Sequence, residues 1–246
     1  MSRPRPTTVG GWPCVPAAPP RTTSRRLRSA YVAVAALDTL LAGTAGRRAH
    51  RARRLTKPLL MPALAASLAT DPRAVGSPLR ATTLAAHAGG WGGDVLLLGE
   101  APERFMAGAG SFALGHAAYI AGFRSRRGAP RWPAPAALGV LWGLSGPPLA
   151  LAAARQDRRL GATVAAYSAV LTSMAAASTQ VGPSVGVAAR RSTMAGAGLF
   201  LLSDAIIGLR ELLLTDPPQR LESAVMLTYA AAQLLLAEGA ARAGTG

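Results

Sequence analysis

The chain has 246 residues, half of them hydrophobic but only 5% aromatic, with 27 Lys and Arg against 11 Asp and Glu for a net charge of +16. Mean hydropathy is only +0.25, because Ala and Gly stand where Leu and Phe would raise it. Yet apolar blocks repeat from Ala30 to the C-terminus, divided by short Arg- or Pro-containing breaks. A soluble bundle would set an apolar stripe against a charged face. These blocks are apolar all round, which excludes that class and predicts an all-α polytopic membrane protein, a bundle of about eight transmembrane helices. The arginines between the blocks then meet anionic lipid headgroups, not nucleic acid. The single cysteine, Cys14, excludes an intramolecular disulfide and a cysteine-based metal site.

Residues 1–28 hold no Asp or Glu and many Pro and Arg. They read as a disordered basic tail without a signal-peptide core. An Arg-rich, acid-free leader is also the composition of an organellar transit peptide, but the amphipathic period is missing. The transmembrane domain is expected over 29–241, with a short tail at 242–246. Its predicted helices are 30–46, 57–70, 79–99, 105–123, 134–154, 160–181, 192–214 and 221–241. A basic linker, 47–57, precedes the second. Lys57-Pro58 opens that helix, Pro being tolerated in a first turn, and Pro62 distorts its start. The fifth is expected to break near Gly146-Pro147-Pro148. Eight helices put both termini on one side of the membrane. The basic residues divide almost evenly and slightly favour a cytoplasmic N-terminus in the cell membrane, although the basic first loop argues the other way.

Three acids interrupt apolar segments: Asp38, Asp94 and Asp204. An Asp at the centre of a membrane helix costs roughly 2.5–3.5 kcal/mol, so it lines a cavity, pairs or does chemistry. Asp94 follows four glycines (Gly89, Gly90, Gly92, Gly93) that allow a neighbouring helix close approach. Asp94 and Asp204 are expected to face one pocket. Each follows a Gly-rich turn, and four helices separate them, the spacing of a four-plus-four parallel duplication. Asp38 is either a pocket residue or half of a structural pair.

His116 and Tyr119, three residues apart, share a helix face. They either serve a site or make an interhelical hydrogen bond. His87 reads as a buried neutral histidine bonded to a backbone carbonyl. Tyr229 and Gln233 form a polar stripe on the last helix. Lys57 either anchors a phosphate at a helix start or snorkels to the headgroups. Ser203 points about 100° away from Asp204 and is not a nucleophile candidate. There is no Gly-x-Ser-x-Gly elbow, His-Glu-x-x-His, P-loop or Cys/His array, so neither metal nor cofactor is expected.

The segments Lys57-Pro-Leu-Leu-Met-Pro62, Gly93-Asp-Val-Leu-Leu-Leu98, Ser111-Phe-Ala-Leu-Gly-His-Ala-Ala-Tyr119, Ser203-Asp204, and Tyr229 with Gln233 together resemble the YhhN family, the lysoplasmalogenases of eight helices. The Gly-Gly-Trp before Gly93 and the Ala-rich helices mark a divergent member. The resemblance implies hydrolysis of the vinyl ether of a lysophospholipid, the lysoplasmalogens. A vinyl ether needs a proton on its β-carbon and a carboxylate for the resulting cation, the division of labour of glycoside hydrolysis. Asp94 and Asp204 would be that pair. His116 and Tyr119 would position water or one Asp, Lys57 would hold the phosphate, and Asp38, Tyr229 and Gln233 would line the substrate. The rivals are a non-catalytic lysolipid carrier using the acids as a proton relay, and a hydrolase of another lysolipid.

Overall fold

The computed structural model describes residues 21–99, 101–129 and 132–245. Most of the expected tail, with Cys14, lies outside them. Among the described residues there are eight α-helices and no strand: α1 (Arg21–Ala42), α2 (Arg47–Ala69), α3 (Arg80–Leu96), α4 (Pro102–Ser125), α5 (Pro133–Ala154), α6 (Arg158–Thr179), α7 (Val187–Gly208) and α8 (Arg220–Arg242). A π-turn over Leu209–Leu213 extends α7.

Two expected non-helical stretches are helical. Residues 21–28 of the tail form the start of α1, and the basic linker is the first half of α2. Arg is a strong helix former, and Gly46, at φ +116°, turns the chain ahead of α2. Pro58 is therefore in mid-helix, not in a first turn. Pro62 has no N–H for the carbonyl four residues back, which is that of Pro58. The Trp91 indole fills the vacancy, donating to Pro58 O at 3.1 Å. The expected break at Pro147-Pro148 is also absent: α5 runs through both. The residue four before Pro147 is Gly143, which has no side chain to crowd the ring.

Taken in turn, α1, α2, α3, α4, α6, α7 and α8 each pack on the next, and α8 closes the ring on α1. The last helix also touches α2 and α3, and 67% of its apolar stretch is buried. By contrast α5 stands outside against α6, only 11% buried. It bares Leu141, Leu144 and Leu151, as an apolar helix in lipid does. The pairings α1–α2, α2–α3 and α3–α4 recur as α5–α6, α6–α7 and α7–α8. Four helices, α5, α6, α7 with its π-turn and α8, are long and apolar enough to cross a membrane. The other four are more basic or richer in Gly.

Small residues set the closest contacts. A Cβ at Gly89 would lie 2.7 Å from Gly115 N and 2.8 Å from Ser111 O on α4. Ser111 instead donates to Gly89 O at 2.7 Å. The described chain ends meet at one end of the bundle, where Arg28, Arg73 and Arg242 converge on Glu238 and Arg73 also holds Asp71 at 2.8 Å.

Candidate functional site

At the opposite end the helices leave a cavity of about 390 Å³. Its wall is formed by His50, Arg53 and Lys57 of α2, Leu97 and Leu98 beyond α3, and Arg210, Glu211, Pro217, Pro218, Gln219 and Glu222 around the α7–α8 connection. The first half of α2 puts its cations here because it is helical: Arg53 and Lys57 are four residues apart and share a face.

Asp94, 1% exposed, lies one turn before Leu97 and Leu98. Lys57 Nζ approaches its Oδ1 to 3.7 Å, and the Tyr229 hydroxyl donates to Oδ2 at 2.8 Å. A buried carboxylate requires a counter-charge and hydrogen bonds, and it has both. Gln233, one turn along α8, accepts from Tyr119 at 3.0 Å. Its amide also bears on the Tyr229 hydroxyl. Gly90 faces that group: a Cβ there would be 3.3 Å from Gln233 Nε2 and 3.5 Å from Tyr229 Oη. Lys57, Asp94, Tyr229, Gln233 and Tyr119 thus form one contiguous polar column from the cavity inward.

Asp38 belongs to the same end. Fully buried, it accepts from Thr56 at 2.5 Å and faces Arg53 Nε at 3.5 Å. Arg53 in turn reaches Glu222 at 2.7 Å. The charges that bear on Asp94 are Lys57 and Asp38.

Asp204 has a different set of partners from Asp94. It accepts from the Tyr167 hydroxyl, and His116 Nε2 lies 3.3 Å from the same oxygen. With the Tyr167 proton directed to Asp204, Nε2 is the donor, and Nδ1 has no hydrogen-bond partner among the described residues. Phe200 stands between the two groups, its ring 4.6 Å from His116 and 5.4 Å from Tyr229. His116 and Tyr119 therefore serve different networks despite their shared face. His87 is buried as expected, but neither ring nitrogen has a hydrogen-bond partner among the described residues; the expected carbonyl bond is absent.

Sequence reading missed Tyr167, Arg53, Arg210 and Glu222. A Tyr inside apolar α6 was a visible signal. The arginines were hidden by their number. Among the described residues no three His, Cys, Asp or Glu side chains gather as a metal site.

A ring of helices with four membrane-length apolar members, closed over a buried acid that pairs with a lysine of a charged cavity's wall, defines an integral membrane protein with an internal polar site. The YhhN family model matches residues 52–240; the chain belongs to the YhhN family. No curated protein and no solved structure matches it.

Proposed function

We propose that this chain is a membrane hydrolase that cleaves the vinyl ether of a lysoplasmalogen, releasing a fatty aldehyde and a glycerophospho-alcohol. One observation carries the reading. Asp94 is buried, hydrogen-bonded by Tyr229 and paired with Lys57, which lines a cavity of ligand size. Small-molecule sites span about 300–1,000 Å³.

In the reaction R–CH=CH–O–R′ takes a proton on its β-carbon. The oxocarbenium ion adds water, and the hemiacetal loses R′OH to leave R–CH₂–CHO, one water being consumed. Asp94, with its counter-ion, suits the carboxylate that steadies the cation and draws a proton from water. Asp204 has Tyr167 as its partner and no ion pair among the described residues, the setting of a proton donor. His116 holds Tyr167 in place. Because Phe200 packs between His116 and Tyr229, the reading requires the vinyl ether to pass along that ring. Tyr119 and Gln233 fix Tyr229. The phosphate goes to the cations of the cavity wall, Lys57 with the neighbouring Arg53 and Arg210.

The same reading puts all eight helices across the cell membrane with both termini cytoplasmic. Its partners are a lysophospholipid and the bilayer, not nucleic acid, and it needs no cofactor.

The test is aldehyde release from a lysoplasmalogen by detergent-solubilised protein, beside Asp94→Asn. Aldehyde from the wild type and none from the folded variant is expected. No aldehyde from folded wild type would overturn the reading in favour of lysolipid binding or transport.

A further inference from the structure

A second cavity, of about 190 Å³, lies at the opposite end of α4 from the first. It is a notch between α4 and α5, floored by α6. The floor is Ser173, Ala176, Ala177 and Gln180, which fall at i, i+3, i+4 and i+7 on one face of α6 and its C-cap. Three of the four are small, and that leaves the room. Phe123, Arg124 and Arg127 come from the end of α4, and Trp132 from the residue ahead of α5. The chain is clamped here. Gly128 N donates to Gln180 O at 2.9 Å, and Gly182 N to Arg126 O at 2.7 Å. A Cβ at Gly128 would lie 2.8 Å from Gly182 Cα, so the two connections meet backbone to backbone.

The notch is polar at its mouth and apolar in its depth. Both α5 and α6 are long and apolar enough to cross a membrane. Trp132 and Gln180 flank their adjoining ends, which puts the mouth at the membrane boundary, where Trp anchors. Ser173 lies about 10 Å deeper, two turns down α6. At the mouth stand two guanidinium groups without a carboxylate. No Asp or Glu lines the cavity, and the sequence has none between Glu103 and Asp157. Neither arginine makes an ion pair among the described residues. Arg28, Arg73 and Arg242, by contrast, share Glu238.

We propose that this notch holds one anionic phospholipid of the bilayer. Its phosphate lies on Arg124 and Arg127, and the start of one acyl chain lies against Phe123 and the small residues of α6. Forked guanidinium donors match phosphate oxygens. An anionic lipid matches the two cations, whereas a choline ammonium beside the phosphate would meet like charge. A free phosphate would leave the apolar depth unfilled. The site is separate from the cavity that Lys57 lines and does not depend on the hydrolase reading.

The experiment is native mass spectrometry of the full chain in detergent, with added phosphatidylglycerol or phosphatidylcholine of the same two chains. One phosphatidylglycerol per chain should be retained, at least about fivefold over phosphatidylcholine, the scale of one or two partly exposed ion pairs. Arg124→Gln and Arg127→Gln should each lower that retention about threefold. Arg126→Gln removes the same charge from the same segment without touching the notch and should leave retention unchanged. Ser173→Leu, at an exposed position, should displace the chain and lower retention as well. Equal retention of the two lipids, or the same loss from all three arginine variants, would overturn the proposal in favour of a general attraction to positive charge. Retention undisturbed by Ser173→Leu would overturn the placing of the chain and with it the site. Displacement by glycerol 3-phosphate at the lipid's own concentration would show a site for free phosphate and remove the lipid.

Discussion

Lys57 and Asp94 face each other across 3.7 Å, the lysine at the cavity wall and the acid buried. The pair joins α2 to α3 and gives the buried carboxylate its counter-charge. Removing one partner of such a pair costs about 3–5 kcal/mol, because the other is left uncompensated. Lys57→Met should therefore lower the thermal midpoint strongly. Asp94→Asn keeps an oxygen for Tyr229, and Lys57, less buried than Asp94, retains access to water; the loss should be smaller. The double variant should recover much of the stability lost by Lys57→Met while releasing no aldehyde. Thermal unfolding in detergent reads the cycle. Additive losses would mean the two side chains are not coupled.

The two tyrosines that meet the acids separate structural from chemical roles. Tyr229→Phe removes the donor to Asp94 and leaves a buried oxygen unmatched, at a cost of about 1–3 kcal/mol. Tyr167→Phe does the same to Asp204 and also frees His116. Both should slow aldehyde release by at least about tenfold. Only Tyr167→Phe should change the ring-nitrogen chemical shifts of His116, read by NMR. An unchanged His116 signal would mean that Tyr167 does not link it to Asp204.

The eight helical cores, the burial of Asp38 and Asp94 and the close approach at Gly89 were all legible, because apolar length, an unaffordable charge and a missing Cβ are local properties. What was not legible depends on partners distant in sequence. Asp94 and Asp204 look equivalent along the chain, yet α8 brings Tyr229 to one and α6 brings Tyr167 to the other. Arg53 looked like one more headgroup arginine because the segment holding it was read as a linker. Once that segment is helical, Arg53 stands one turn before Lys57 and faces inward. Pro58 misled for the same reason: it suggested a helix start, and the Trp91 bond that satisfies its carbonyl comes from another helix.

Close packing of α3 on α4 gives a prediction with its own control. Gly89→Ala would press a Cβ against Gly115 N and Ser111 O at 2.7 and 2.8 Å, and these are backbone atoms that cannot rotate away. Overpacking of this kind costs about 1–3 kcal/mol. Gly110 on α4 has nothing within 4 Å of the same position. There Ala should stabilise, by up to about 1 kcal/mol, through helix propensity alone. Thermal midpoints moving in opposite directions are expected. A fall in both would show that α4 tolerates no added methyl, whatever its surroundings.

At the far end of the bundle, Asp71 sets a pH dependence. Burial raises its carboxyl, but the Arg73 side chain, the Arg73 backbone N–H and the charges of Arg73 and Arg28 outweigh that and hold it below the usual carboxylate value. Glu238 shares the same arginines. A carboxyl whose folded value is depressed stabilises the fold fully above its unfolded value, about 3.9. The contribution is lost as pH falls through the folded value. Asp71→Asn should therefore be less stable than wild type at pH 7, and the two midpoints should converge below about pH 4. Unfolding scans from pH 7 to pH 3 read the gap. A gap that stays constant across that range would mean that the charge of Asp71 contributes nothing and only its shape matters.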